Sequence, residues 1–186
     1  MGIAIAEIAA EYGASVELVI GPVSKLPENK SVKLIKVTTA ANMAAECIAR
    51  FNSCDIAILA AAVADFTPEK VTREKIKKTG DDIILRLKPT IDIAATLGNL
   101  KKKTQIIAGF ALETDNEIAN ATSKLKLKNL DIIVLNSLKD KGAGFGFDTN
   151  QITIIDSNNN IDKFELKSKE EAARDILDKI VSIMKS

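Results

Sequence analysis

Residues 55–63 read Asp-Ile-Ala-Ile-Leu-Ala-Ala-Ala-Val. Beyond Asp55 every position is apolar, with no alternation between two faces. A strand with one wet face alternates, so such a run marks a parallel strand covered on both sides. Gln105–Leu112 and Asp131–Leu135 have the same character. Helical patterns lie around and between these runs, at Ala41–Phe51, Ile91–Leu100 and Asn116–Lys128. Met1–Tyr12 reads as a helix ended by Gly13, followed by strands at Ser15–Ile20 and Lys33–Val37. The alternation predicts an α/β fold with a doubly wound, mainly parallel Rossmann-like sheet.

Two segments interrupt the alternation. Lys75–Leu87 predicts an inserted β-hairpin turning near Gly80-Asp81. Gln151–Ser157 and Lys163–Leu166 predict a second hairpin about Asn158-Asn159-Asn160. A closing helix over Lys169–Met184 carries Ala173, Ile176, Leu177, Ile180 and Ile183 at helical spacing. No repeat or linker divides residues 1–186, so one domain is expected. Doubly wound folds open with a strand whose following turn supplies the phosphate loop. This chain opens with a helix, which predicts a gap or a bare edge in the sheet.

Composition removes several kinds of chemistry. The 186 residues contain no histidine, which excludes Ser-His-Asp and Cys-His catalysis within the chain. Cys47 and Cys54 lack metal-site spacing and read as small buried hydrophobes. The 26 basic and 25 acidic residues nearly cancel, so overall charge draws the chain neither to nucleic acid nor to a membrane. No apolar run approaches the ~20 residues of a membrane span, and the apolar start carries Glu7 and Glu11 without a basic leader. A cytoplasmic location is expected.

Ligands of open α/β sheets bind beyond the carboxyl ends of the strands. Ala60, Ala61 and Asp65 follow the first apolar run. Small side chains let a ligand approach the backbone there. Asp65 suits hydrogen bonds to a ribose or base, a metal ion, or simply a loop. Lys75 and Lys77 share one face of the expected hairpin, as mobile point charges for phosphate or as a solvated run. Phe110 suits base stacking or core packing, while Glu113 and Thr114 suit capping of the next helix. Lys124 and Lys128, at helical spacing, suit a polyphosphate or solvent. Asn136 is expected just past its strand, near a glycine-rich loop over Gly142–Asp148. That loop is not the dinucleotide fingerprint, because a strand follows it.

Taken in order, these motifs resemble phosphopantothenate–cysteine ligase, the synthetase domain of coenzyme A biosynthesis. VELVIGPVS, DIAILAAAVADFTPEKVTREKIKK, IDIAATLG, IIAGFALET, KLKLKNLDIIVLNSL and GAGFGFDTNQITII carry the resemblance across nearly the whole chain. It implies activation of 4′-phosphopantothenate by CTP to an acyl-cytidylate, with Mg²⁺ as cofactor, and attack by cysteine. It implies Lys75 as the catalytic lysine of a mobile flap. Ala60, Ala61, Asp65, Ile91, Asp92, Ile93, Ala94, Phe110, Lys124 and Lys128 are implied as nucleotide contacts, and Asn136 is a candidate substrate contact. It further implies a homodimer and a decarboxylase domain as a fused or associated partner.

Two departures accompany the resemblance. Thr90, in Pro89-Thr90-Ile91-Asp92-Ile93, stands where the family has asparagine. The family also opens with a strand and an Asn-x-Ser-Ser-Gly-Lys-Met-Gly loop, of which Met1-Gly2 match the last two residues. A chain shortened at its amino end, with little turnover, is therefore expected. The alternatives are a non-catalytic nucleotide-binding or dimerisation module and, more distantly, an NAD-dependent oxidoreductase.

Overall fold

The computed structural model describes residues 1–72, 74–77, 82–137 and 148–185. Helix α1 (Gly2–Glu11) ends before Gly13, whose φ of +87° suits a residue without a Cβ. Strands β1 (Glu17–Ile20) and β2 (Lys33–Lys36) pair in parallel. Helix α2 (Ala40–Phe51) is capped by Thr39, whose hydroxyl accepts from Asn42 N–H at 3.0 Å. It leads into β3 (Ile56–Leu59). An antiparallel arm of β4 (Phe66–Pro68) and β5 (Leu87–Pro89) precedes α3 (Ile93–Leu100). Next come β6 (Ile106–Glu113), α4 (Glu117–Leu127) and β7 (Ile132–Ser137). Short β8 (Thr149–Asn150), β9 (Ile152–Asp156), β10 (Ile161–Lys163) and β11 (Lys167–Ser168) lead to α5 (Lys169–Met184).

The largest sheet has the order β10-β9-β7-β6-β3. Strands β3, β6 and β7 run parallel, while β9 and β10 are antiparallel additions. Alternation along β6 and β7 sorts their side chains onto two faces. Ile106, Ala108, Ile132 and Val134 pack with α1 and α5. Ile107, Ala111, Ile133 and Leu135 pack with α2, α3 and α4. Helices thus cover both faces, as the apolar runs predict. At the amino ends of the strands, the Asp131 carboxylate accepts from Lys101 Nζ at 2.9 Å and Ile107 N–H at 2.7 Å. That pair of bonds ties β7 to β6 and to the loop after α3.

Several expected boundaries move. Strand β3 stops at Leu59, and its residues are only half-buried, with β6 its sole hydrogen-bonded neighbour among the described strands. The hairpin expected over Lys75–Leu87 pairs instead at β4 and β5, where Glu69 N–H donates to the Arg86 carbonyl at 2.9 Å. Its expected turn at Gly80-Asp81, and Lys78, lie outside the described residues. The reason for the displacement is burial. Ile83, Ile84 and Leu85 are 61%, 89% and 64% exposed, so no layer among the described residues supports the ribbon beyond β5, and an isolated two-stranded ribbon is marginal in water.

The second hairpin closes early, with β10 at Ile161–Lys163 rather than Lys163–Leu166. Asp156 draws the turn back by accepting from Asn158 and Asn160 N–H at 3.0 and 2.9 Å. Asn159 takes the left-handed conformation at φ +63°. Burial raises the Asp156 carboxyl, but hydrogen bonds from Asn160 and Lys179 outweigh it, leaving its pKa below the usual value. Cys47 and Cys54 are partly buried, and burial pushes both thiols upward. They are poor nucleophiles, in keeping with packing. Among the described residues no helix is long and apolar enough to cross a membrane.

Helix α3 meets the end of α4 at Gly98. A Cβ at that position would lie 1.9 Å from the Lys128 carbonyl oxygen, and Asn129 Nδ2 donates to the Gly98 carbonyl at 2.8 Å. Backbone cannot yield as a flexible side chain can. Gly98→Ala is expected to destabilise the fold by about 2–3 kcal/mol, read as a lower urea midpoint at unchanged m; an unaltered midpoint would contradict this packing.

Candidate nucleotide and substrate site

The parallel strands β3, β6 and β7 all point their carboxyl ends the same way. On the α1/α5 face, Ala60 follows β3, Phe110 lies in β6 and Asn136 lies in β7. Ala60 and Phe110 are partly buried against the same core as Met1. Leu59 is in register with Gly109, Phe110 with Val134, and Leu112 with Asn136. The asparagine therefore stands one alternate position beyond Phe110, toward the carboxyl end. It is part of the strand rather than just past it, because β7 keeps its ladder with β6 and β9 as far as Asn136. A Cβ built on Gly2 would lie 3.8 Å from Ala60 Cβ, so the start of α1 sits over the end of β3.

The other expected contacts lie elsewhere. Ile93 is buried and Ala94 packs beside it in the core of the opposite face. Asp92 caps α3, its Oδ1 accepting from Ala95 N–H at 3.0 Å, and its Oδ2 meets Lys128 Nζ at 3.0 Å. Burial raises the Asp92 carboxyl, yet the bonds from Ala95 and Lys128 leave its pKa lowered overall. Lys124 Nζ lies 2.6 Å from Glu113 Oε1. Glu113 therefore holds a lysine instead of capping α4, whose N-cap residue, Asn116, makes no side-chain cap bond. The two lysines expected to act together each carry a carboxylate partner, and a phosphate would have to displace one or share the cation.

Asp65 and Ala61 are exposed at the exit from β3. Thr90 pins the base of the arm there: its N–H donates to the Asp65 carbonyl at 2.9 Å, and its hydroxyl to the Ala64 carbonyl at 2.6 Å. Ile91 is 53% exposed beside it. Lys75 is exposed on the arm. Of the glycine-rich loop, only Asp148 falls within the described residues.

Sequence reading missed Asn150. It is buried, and its Nδ2 donates to Asn136 Oδ1 at 3.1 Å. The polar pair Asn150-Gln151 just before the mostly apolar stretch 152–155 is the only signal that pointed to it.

These features define a class: a doubly wound α/β domain with small, aromatic and amide side chains gathered where its parallel strands end. The chain belongs to the DNA/pantothenate metabolism flavoprotein C-terminal domain family, whose pattern matches residues 1–184. A coenzyme A biosynthesis bifunctional protein CoaBC from Bacillus subtilis (strain 168) is 43% identical over 185 residues, spanning 100% of this chain and 45% of that protein. A cysteine/cysteine sulfinic acid decarboxylase from an unknown prokaryotic organism is 59% identical over 184 residues, 99% of this chain and 51% of that protein. The chain thus spans about half the length of these relatives. The crystal structure of the C-terminal domain of a CoaBC protein superimposes with a TM-score of 0.83 at 33% identity, covering 98% of this chain and 81% of that one.

Asp92 offers a test that separates its structural part from any ligand contact. Asp92→Ala should cost about 1 kcal/mol at neutral pH through the lost cap, whereas Asp92→Asn keeps the cap and should cost less. Because the folded carboxyl titrates below its unfolded value, the charge-dependent part of this contribution is present above about pH 4 and is lost as pH falls further, through the folded value. Thermal unfolding of the three proteins at pH 7 and pH 3 measures it; an alanine deficit that persists undiminished at pH 3 would contradict it.

Proposed function

We propose that this chain is the ligase part of a coenzyme A biosynthesis protein, joining 4′-phosphopantothenate to cysteine at the expense of CTP. A carboxylate oxygen of phosphopantothenate attacks the α-phosphorus, and pyrophosphate leaves. The cysteine amine then attacks the acyl carbon, CMP leaves, and the nitrogen loses its proton as the amide forms. The observation that carries this reading is the family match over residues 1–184, with Ala60, Phe110 and Asn136 together at the carboxyl ends of β3, β6 and β7.

In this reading Ala60 and Ala61 admit the nucleotide to the backbone, and Asp65 receives its ribose or base. Phe110 offers an aromatic face. Lys124 and Lys128, released from Glu113 and Asp92, and Lys75 on the arm meet the charge of the departing pyrophosphate. Among the described residues no three carboxylates cluster as a metal cage. Mg²⁺ arriving on the triphosphate would need only one or two protein carboxylates. When bound, the ion neutralises phosphate charge. The exposed apolar side chains of the arm, Ile83, Ile84 and Leu85, support a homodimer in which a second copy covers them.

The 59% identical relative favours a second reading, in which the chain belongs to a cysteine or cysteine sulfinic acid decarboxylase. One assay separates the two. With CTP, phosphopantothenate, cysteine and Mg²⁺, the ligase reading expects slow release of pyrophosphate that appears only with phosphopantothenate present. Lys75→Gln should lower its rate at least tenfold. Carbon dioxide released from cysteine or cysteine sulfinate, without pyrophosphate, would overturn the ligase reading.

A further inference from the structure

Lys124 and Lys128 are both held by carboxylates, but in opposite ways. Lys124 Nζ lies 2.6 Å from Glu113 Oε1, and the lysine side chain is 47% exposed against 12% for the glutamate. For Lys128 and Asp92 the order is reversed, at 28% and 49%. The cation is the open member of the first pair and the covered member of the second. An ammonium has three N–H donors, so Lys124 keeps donors to spare for an anion arriving from solvent.

Glu113 has little else to hold it. It ends β6, in register with Ser137. Among the described residues its other side-chain partner is Asn120 Nδ2, at a long 3.5 Å. That nitrogen already donates to the Asp115 carbonyl at 2.8 Å. A carboxylate so nearly covered depends on its cation, because an unpaired charge there loses water without compensation. Asp92 differs, since its Oδ1 accepts from Ala95 N–H whether or not Lys128 stays.

Carboxylate and phosphate oxygens make the same kind of charge-assisted bond to an ammonium. Glu113 is tethered beside Lys124, so it binds without the loss of free motion that an incoming ligand suffers. We propose that Glu113 is an internal competitor for phosphate: it occupies Lys124 in the empty site, yields the cation to an arriving phosphate group, and takes it back when that group leaves. The inference rests on the ligase reading and deepens it, adding a device that empties the site after each turnover. The anion served is a phosphate group, supplied by the nucleotide or by the 4′-phosphate of phosphopantothenate.

The test is calorimetric titration of the 186-residue protein, in Mg²⁺ buffer, with CTP, with pyrophosphate and with 4′-phosphopantothenate. Glu113→Gln keeps the shape and removes the charge. It should tighten the anion that uses Lys124 about fivefold. A gain for CTP and pyrophosphate assigns the lysine to the nucleotide, whereas a gain for phosphopantothenate alone assigns it to the acid; either upholds the competitor. Asp115→Asn removes a neighbouring charge that does not hold Lys124, and should change each affinity by less than about twofold. In a Lys124→Met background, Glu113→Gln should likewise give less than about a twofold gain. Glu113→Asp, whose shorter carboxylate reaches the lysine poorly, should give a smaller gain in the same direction, and reads the same competition where the glutamine variant does not fold by circular dichroism.

Unchanged binding of all three ligands in folded Glu113→Gln would overturn the competitor. Weaker binding would overturn it too, making Glu113 a support that orients Lys124. A gain that persists in full without Lys124, or that Asp115→Asn matches, would replace competition with plain charge repulsion. Each of these leaves the ligase reading standing. A folded wild type that binds none of the three would sink that reading and the competitor with it.

Discussion

The pairing of β6 between β3 and β7 governs most of what this molecule can do. Its parallel register sets Leu59 against Gly109 and Leu112 against Asn136. A shift by one residue would exchange the two faces of the strand. Phe110 would then leave the side of α1 for the side of α4. Two fully buried layers of isoleucine and valine, each side chain stabilising the fold by about 1.5–3 kcal/mol, hold the register against such a slip. The Asp131 carboxylate adds a directional lock at the opposite end of the sheet.

That register divides the chemistry between two faces. The α1/α5 face gathers Ala60, Phe110 and the asparagine pair. The other face carries Lys124 and Lys128, each held by a carboxylate. A ligand long enough to bridge the two must pass over the carboxyl edge of the sheet, where Thr90 anchors the arm. The arm itself gains little from the body of the molecule. Its apolar side chains Ile83, Ile84 and Leu85 face solvent.

Much of the fold was legible because long apolar runs admit few readings. Asp55–Val63, Gln105–Leu112 and Asp131–Leu135 predicted parallel strands, and all three are. Boundaries failed where burial rather than pattern decides. The arm's sequence alternates like a hairpin, but Ile83, Ile84 and Leu85 are exposed, and the described pairing lies at β4 and β5. Lys124 and Lys128 were visible as one helical face. Their partners were not, because Glu113 and Asp92 come from other elements and meet them only after packing. Asn150 was hidden for the same reason: its side-chain bond to Asn136 exists only once β8 is seated beside the end of β7.

The most direct measurement is a backbone amide map of the protein by nuclear magnetic resonance as CTP and Mg²⁺ are added. In the proposed ligase, nucleotide contacts lie around the exit of β3, the start of α3 and Phe110 within β6. Shifts should therefore concentrate at residues 60–65, 90–94 and 110. Shifts confined to the opposite edge, around Lys101, Gln105 and Asp131, or no saturable shifts at all, would contradict it.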